Sequence, residues 1–202
     1  MDESGLIQAA RQGDLDAFNR LVLANQDIVY SQAYRMMGDA EVAEDATQEA
    51  FISAYKHLDT YRGGSFRGWL LRIVTNACYD ELRRRKRRPT VPLEPVDANE
   101  EEIESPSWMI DPGELPEQAT VRKELAQAIQ RCLDGLPDEF RLVVVLVDIQ
   151  GLDYQEAAQA AGKPIGTVKS RLARARLRLR ECLQSVWELL PSTNRLVDEG
   201  IK

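Results

Sequence analysis

This sequence predicts an all-α fold, built as two small helical domains on either side of an acidic tether, and three observations predict it. Apolar residues recur at helical spacing through both flanks, without the strict alternation that marks strands. Glycine and proline interrupt those runs. Charge is segregated: residues 1–88 hold 13 acids and 13 bases, residues 89–120 hold 9 acids and no base, and residues 121–202 hold 11 acids and 13 bases. The net charge of −7 therefore comes from the middle, and the flanks are left to carry local basic surfaces.

In chain order, the stretch "LDAFNRLVLANQDIVYSQAYRMM" places Phe18, Leu21, Val22, Ile28, Val29 and Ala33 on one helical face. Gly38-Asp39 breaks it, and a second helix runs over residues 40–58. On this helix Ala43, Thr47, Ala50, Phe51, Ala54 and Leu58 share the core side, while Glu41, Asp45, Gln48, Glu49, Ile52 and Lys56 share the other. Such a polar stripe is usually a solvated face, but Ile52 in its middle points to a protein contact. After the breaker "YRGGS", a further helix runs from Phe66 into the basic run Arg83–Arg88, where Pro89 stops it. Leu70, Leu71, Ile73, Val74, Ala77, Cys78 and Leu82 form its apolar side.

Opposite lie Arg72, Asn76, Tyr79 and Arg83, a cation, a two-way amide, a flat ring and a second cation. These groups contact phosphates, base edges and stacked bases. Arg84 and the bases after it extend the face with phosphate-neutralising charge. Gly63 and Gly64 carry no Cβ and let backbone approach a ligand. A plain solvated arginine face is the alternative.

The middle segment has six prolines and one glycine between residues 89 and 120, and no helical period. It reads as a flexible, extended acidic linker over residues 89–117. A loop anchored on one domain by Trp108, Met109 and Ile110 is the other reading. Beyond it, helices are predicted over 118–134, 138–149, 153–161 and 165–189. The last two form a helix-turn-helix, with Gly162 ending the first and Pro164 suiting the start of the second. On the second, Val168, Leu172, Ala175 and Leu179 face the core. Thr167, Ser170, Ala173 and Leu177 line the outer face, with Lys169, Arg176 and Arg180 on one edge and Arg171, Arg174 and Arg178 on the other. Small residues let such a helix approach a groove floor while the cations reach the phosphate walls. Residues 190–202 form a tail too short for a further domain.

Other chemistry finds little support. Cys78, Cys132 and Cys182 are far apart, no CxxC occurs, and His57 is the single histidine. Zinc sites and Cys/His catalysis are not expected, and the thiols read as buried or incidental. No metal, cofactor or catalytic residue is expected: Asp45 and Glu49 pair at one helical turn without a third ligand, and there is no nucleophile–base pair or P-loop. No apolar stretch approaches the roughly 18 residues of a membrane span. The acidic start "MDESGLIQAARQGD" lacks the order of a signal peptide. A cytoplasmic location without membrane insertion is expected.

Two nucleic-acid-binding helices on one chain imply recognition of two DNA elements. At this point the chain resembles the extracytoplasmic-function (ECF, group 4) sigma factors of bacterial RNA polymerase. "AEDATQEAFISAY" is similar to the region 2.2 signature, "FRGWLLRIVTNACYDELRRRKR" to regions 2.3 and 2.4, and "LPDEFRLVVVLVDIQGLDYQEAAQAAGKPIGTVKSRLARAR" to region 4. The resemblance implies a sigma-2 domain over residues 1–88 and a sigma-4 domain over 118–189. It implies that Asp45, Gln48, Glu49 and Ile52 bind the β′ clamp helices of core RNA polymerase, with the β flap as a second polymerase contact. It implies −10 recognition and melting by Gly63, Gly64, Ser65, Phe66, Arg72, Asn76, Tyr79, Arg83 and Arg84, with one base flipped into a pocket made by the loop. It implies −35 recognition by Thr167, Lys169, Ser170, Arg171, Arg174 and Arg176. The further partners implied are promoter DNA and an anti-sigma factor, and the acidic tether would mimic RNA in the polymerase exit path. The alternative is a stand-alone helix-turn-helix transcriptional regulator, which would leave the 40–88 constellation idle.

Overall fold

The computed structural model describes residues 3–87 and 116–184, with side chains in the second segment from residue 122 onward. Arg88, the acidic tether up to residue 115, the predicted helical extension over 185–189 and the tail lie outside the described residues. The fold is all-α. The first segment folds as α1 (Glu3–Arg11), α2 (Leu15–Met37), α3 (Ala40–Lys56), a 3-10 turn (Leu58–Thr60) and α4 (Phe66–Arg87). The second folds as α5 (Pro116–Asp134), α6 (Asp138–Val144), a π turn (Val145–Ile149), α7 (Tyr154–Ala161) and α8 (Ile165–Gln184).

Local chemistry sets the boundaries. Periodicity does not separate α1 from α2, but Asp14 does: its carboxylate accepts from the Ala17 amide at 3.0 Å and caps α2. At the other end of α2, Gly38 sits at φ 70° and its amide donates to the Tyr34 carbonyl, closing the helix as an αL cap. Asp39 then caps α3 through the Val42 amide at 3.0 Å. Asp153 and Glu156 form a reciprocal capping box on α7, and Gly162 closes that helix at φ 60°. The Pro164 carbonyl accepts from the Thr167 amide at 2.9 Å, so the proline stands just before α8 rather than within it.

α2 is the central strut. Its buried Leu21, Val29, Ala33 and Met36 meet Ala43, Ala46, Ala50 and Ala54 of α3 and Leu70, Leu71, Val74 and Cys78 of α4. Helix separation follows the size of the side chains between the axes, so the alanine face brings α3 close to its neighbour. Fully burying each larger aliphatic group contributes about 1.5–3 kcal/mol. Gln32, fully buried, donates to the Leu71 carbonyl at 3.0 Å and the Thr75 hydroxyl at 2.6 Å, which sets the register of α2 against α4.

The two helical units share one core. Arg35 donates to Gln130 at 3.2 Å, joining α2 to α5. Arg141, only 7% exposed, donates to the Met36 carbonyl at 2.6 Å and to the Leu133 and Asp134 carbonyls at 2.9 Å. A cation at the carbonyl ends of α2 and α5 also favours both helix dipoles. The π turn delivers buried Gln150 between α2 and α4. There Gln150 donates to the Ile28 carbonyl at 3.3 Å, and its own carbonyl accepts from Arg67 at 2.5 Å. α7 packs against α4 with Ala157 and Ala160 buried.

Candidate nucleic-acid interface

The loop between the 3-10 turn and α4 is built by three side chains. Gly63 and Gly64 stand at φ 94° and 89°, a left-handed region that side chains resist. A Cβ at either would meet nothing within 4 Å, so backbone conformation rather than crowding demands glycine. Tyr61 donates its hydroxyl to the Gly64 carbonyl at 2.6 Å, and Ser65 accepts the Gly68 amide at 3.0 Å as the cap of α4. Phe66 is 1% exposed, stacked on Trp69 and edge-on to Tyr61. The family resemblance places Phe66 among the DNA contacts; the fold instead uses its ring as the floor that holds the loop, because a helix-start aromatic beside Leu70 falls on the core side.

Beside the loop lies a cleft of about 740 Å³. Trp69, Arg72 and Asn76 of α4 form one wall, the loop forms the rim, and Glu156 and Gln159 of α7 stand on the second unit's side. Arg72 and Asn76 are exposed, as their spacing implies. Tyr79 continues their helical face, two turns after Arg72, but is half-buried, near Glu139, Asp138 and Arg171. Burial, reinforced by those two carboxylates, pushes its phenol up to about 12, so it is neutral at physiological pH. In this arrangement Tyr79 is a contact between the units and not an open stacking platform.

The basic end of α4 is partnered within the chain. Arg83 meets Asp80 at 3.1 Å, Arg84 meets Glu81 at 2.6 Å, Arg85 meets the same carboxylate at 3.2 Å, and Lys86 reaches Asp138 at 2.7 Å. The Arg84 hydrogen bond holds the Glu81 carboxyl below the usual carboxylate range. Exposed pairs of this kind are weak in water, so their exchange for phosphate contacts costs little.

On α3, Asp45, Gln48, Glu49 and Ile52 are all exposed, and Ile52 is 49% exposed with Tyr55 beside it at 40%. A polar ridge with two exposed apolar groups is suited to a protein partner. On α8, Lys169, Ser170, Arg174 and Arg176 are exposed, while Thr167 and Arg171 are half-buried. Lys169 lies 5.2 Å from the Tyr154 ring centroid. Arg171 is ion-paired with Glu139, and Arg176 binds both oxygens of Asp148 at 2.6 and 3.1 Å. Helical periodicity thus located the outer face, but which cations already hold a partner needed the fold.

Two features escaped the sequence reading. Tyr61 and Trp69 belong to the cleft, and the aromatic-rich string "YRGGSFRGW" was the available signal. Cys132 and Cys182, which sequence separation makes read as buried or incidental thiols, are joined in a disulfide across 50 residues. Helix packing brings together what separation in sequence hid.

The family model for Sigma-70 region 2 matches residues 21–88, and that for Sigma-70 region 4 matches residues 126–179. The ECF RNA polymerase sigma factor SigW of Bacillus subtilis is 39% identical over 89% of this chain and 96% of its own length. The ECF RNA polymerase sigma-E factor of Escherichia coli K12 is 38% identical over 85% of this chain and 88% of its own length. The ECF RNA polymerase sigma factor SigE of Mycolicibacterium smegmatis is 41% identical over 85% of this chain, which spans 63% of that relative's length. Among solved structures, the sigma factor RpoE in complex with the anti-sigma factor NepR from Bartonella quintana aligns with TM-score 0.62 and 27% identity, covering 83% of this chain and 96% of that one.

Proposed function

The chain belongs to the extracytoplasmic-function sigma factors of RNA polymerase, and from that premise we propose how its parts direct promoter-specific initiation. Residues 1–88 bind core polymerase and read and open the −10 element. Residues 89–117 tether them to residues 118–189, which read the −35 element, and residues 190–202 are a tail. The observation that carries this reading is the order of a region 2 match and a region 4 match on one chain, each presenting an exposed cationic helix.

Asp45, Gln48, Glu49 and Ile52 on α3 dock on the polymerase β′ clamp helices. In the cleft, Arg72 neutralises a backbone phosphate and Asn76 reads a base edge. Trp69 and Tyr61 offer ring faces to an unstacked base. Flipping a base costs a few kcal/mol, and stacking at about 1–3 kcal/mol per base offsets it. Gly63 and Gly64 let the rim backbone approach that base, with Ser65 and Phe66 holding the loop in shape. Arg83 and Arg84, already exposed, exchange Asp80 and Glu81 for phosphates, and Tyr79 meets DNA once α6 and α7 move off α4. On α8, Lys169, Ser170 and Arg174 enter the groove at the −35 element, while Thr167, Arg171 and Arg176 position the helix on phosphates. The protein contributes binding and specificity and is not itself an enzyme; core polymerase performs the chemistry. It acts in the cytoplasm, and among the described residues no helix is long and apolar enough to cross a membrane. By extension from the RpoE–NepR complex, an anti-sigma partner is proposed to cover the same surfaces.

The test is transcription in vitro with core polymerase, this protein and fragmented genomic DNA, sequencing transcript 5′ ends. New starts that share two upstream elements at fixed spacing are expected. Tight duplex binding by the protein alone, without new starts, would instead establish a stand-alone regulator.

A further inference from the structure

The three cysteines divide sharply by environment. Cys78 is fully buried in the core between α2 and α4, and burial pushes its thiol up to about 12, so it is inert. Cys132 is 4% exposed on α5, and Cys182 is half-buried on the last turn of α8, with Cα atoms 5.7 Å apart. That separation lies in the range that a disulfide bridges without backbone movement. A chain that works with RNA polymerase on DNA meets a reducing compartment, where a disulfide is characteristically transient and redox-sensing rather than structural.

The location gives the bond a consequence. On α5, Gln130 and Asp134 point toward α2: Gln130 bonds Arg35 at 3.2 Å, and the Asp134 carboxylate lies 3.0 Å from where a Cβ on Gly38 would stand. Cys132, between them in sequence, points to the opposite side and holds α8. α5 is therefore a plank with the first unit on one face and the recognition helix on the other. Early in α8, Val168, Leu172 and Ala175 anchor the helix in the core, whereas among the described residues beyond Leu179 none is fully buried, and there the bond ties α8 to α5.

Resting on the sigma-factor reading, we propose that Cys132 and Cys182 are an oxidant-responsive modification site. Oxidised, they clamp α5 to α8 and hold the second unit closed on the first, with α7 across the cleft. Reduced, they free α5 and allow the units to part on core polymerase and promoter. The half-buried Cys182 sulfur, as thiolate, attacks one oxygen of hydrogen peroxide; the O–O bond breaks, the sulfur becomes a sulfenic acid, and the hydroxide that leaves takes up the proton the thiol had shed, as water. Cys132 sulfur then attacks the sulfenic sulfur, the S–S bond forms, and a second water leaves. Two thiols lose two electrons to one peroxide. A dithiol reductant reverses the change by exchange, leaving as its own disulfide.

The experiment oxidises the full chain with hydrogen peroxide, removes the peroxide with catalase, and only then adds core polymerase and promoter DNA. Denaturing alkylation with iodoacetamide counts thiols before and after, and hydrogen exchange follows the α5 amides. Oxidation is expected to leave Cys78 alone alkylatable, to protect α5, and to lower transcription at least about fivefold, the low end of ordinary coupling between sites. Dithiothreitol should restore activity, and Cys182→Ser should transcribe equally with and without peroxide. Three alkylatable thiols after peroxide, unchanged α5 exchange, or equal loss in Cys182→Ser overturns the proposal. If no form directs initiation, the functional reading fails, while thiol count and α5 exchange still judge the site.

Discussion

Replacing Arg141 with methionine should remove about 3 kcal/mol of stability. Arg141 is 7% exposed, and its guanidinium engages all three of its nitrogens. Nε donates to the Leu133 carbonyl at 2.9 Å, Nη1 to Met36 at 2.6 Å, and Nη2 to Asp134 at 2.9 Å and Leu136 at 3.4 Å. The Leu133 oxygen keeps a second donor, the Leu136 amide at 3.0 Å. The Asp134 side chain is 42% exposed, so its surroundings recover water. The loss therefore falls on the buried oxygens of Met36 and Leu136, at about 1–3 kcal/mol each. Methionine refills most of the aliphatic volume, which keeps a cavity penalty out of the sum. At roughly 2–4 °C per kcal/mol for a chain of this size, the midpoint should fall by about 6–12 °C. Circular dichroism melts and urea titration of the full chain measure it, and Arg141→Lys, which keeps charge without the fork, should fall between. A change below about 0.5 kcal/mol in Arg141→Met would refute the assignment of Arg141 as the staple between α2 and the α5–α6 corner.

Arg72→Ala and Asn76→Ala should each lower initiation about 10- to 100-fold, the equivalent of roughly 1–3 kcal/mol per base or phosphate contact, while core binding measured by co-elution stays intact. Arg174→Ala, which removes a groove contact, should weaken binding to −35 duplex by about 1–3 kcal/mol and relax its sequence preference. Arg176→Ala should reduce the slope of log affinity against log salt by less than the roughly 0.9 of a full phosphate contact, because that cation is already held by Asp148 at 2.6 Å. For Tyr79, the folded phenol at about 12 lies above its ordinary value, so the unfolded chain loses its proton first as pH rises. Its contribution is whole below about pH 10 and is lost toward pH 12. Tyr79→Phe should match wild type near neutrality and show a shallower stability loss across that window, read from urea midpoints.

Much of this protein is written locally in its residues. The helices expected over 40–58, 66–88, 138–149 and 153–161 correspond to α3, which ends at Lys56, to α4, described as far as Arg87, to α6 with its π turn, and to α7, and period and breaker foretell them. Asp39, Asp153, Gly38 and Gly162 act on their own neighbours, and a local cause needs no knowledge of the fold. The exposed faces of α3 and α8 follow from the same period, which is why Asp45, Ile52, Lys169 and Arg174 emerge where their spacing puts them. Tertiary structure decided what depends on distance in space. It turned Phe66 inward onto Trp69 and brought Asp138 and Glu139 around Tyr79. It used Arg141, Arg67 and Gln150 to join two units that composition divides, and it set Cys132 against Cys182 across 50 residues. Periodicity states which side of a helix is apolar. It does not state which helix will cover that side, because burial depends on the whole packing and a polar side chain enters the core wherever a distant carbonyl awaits its donor.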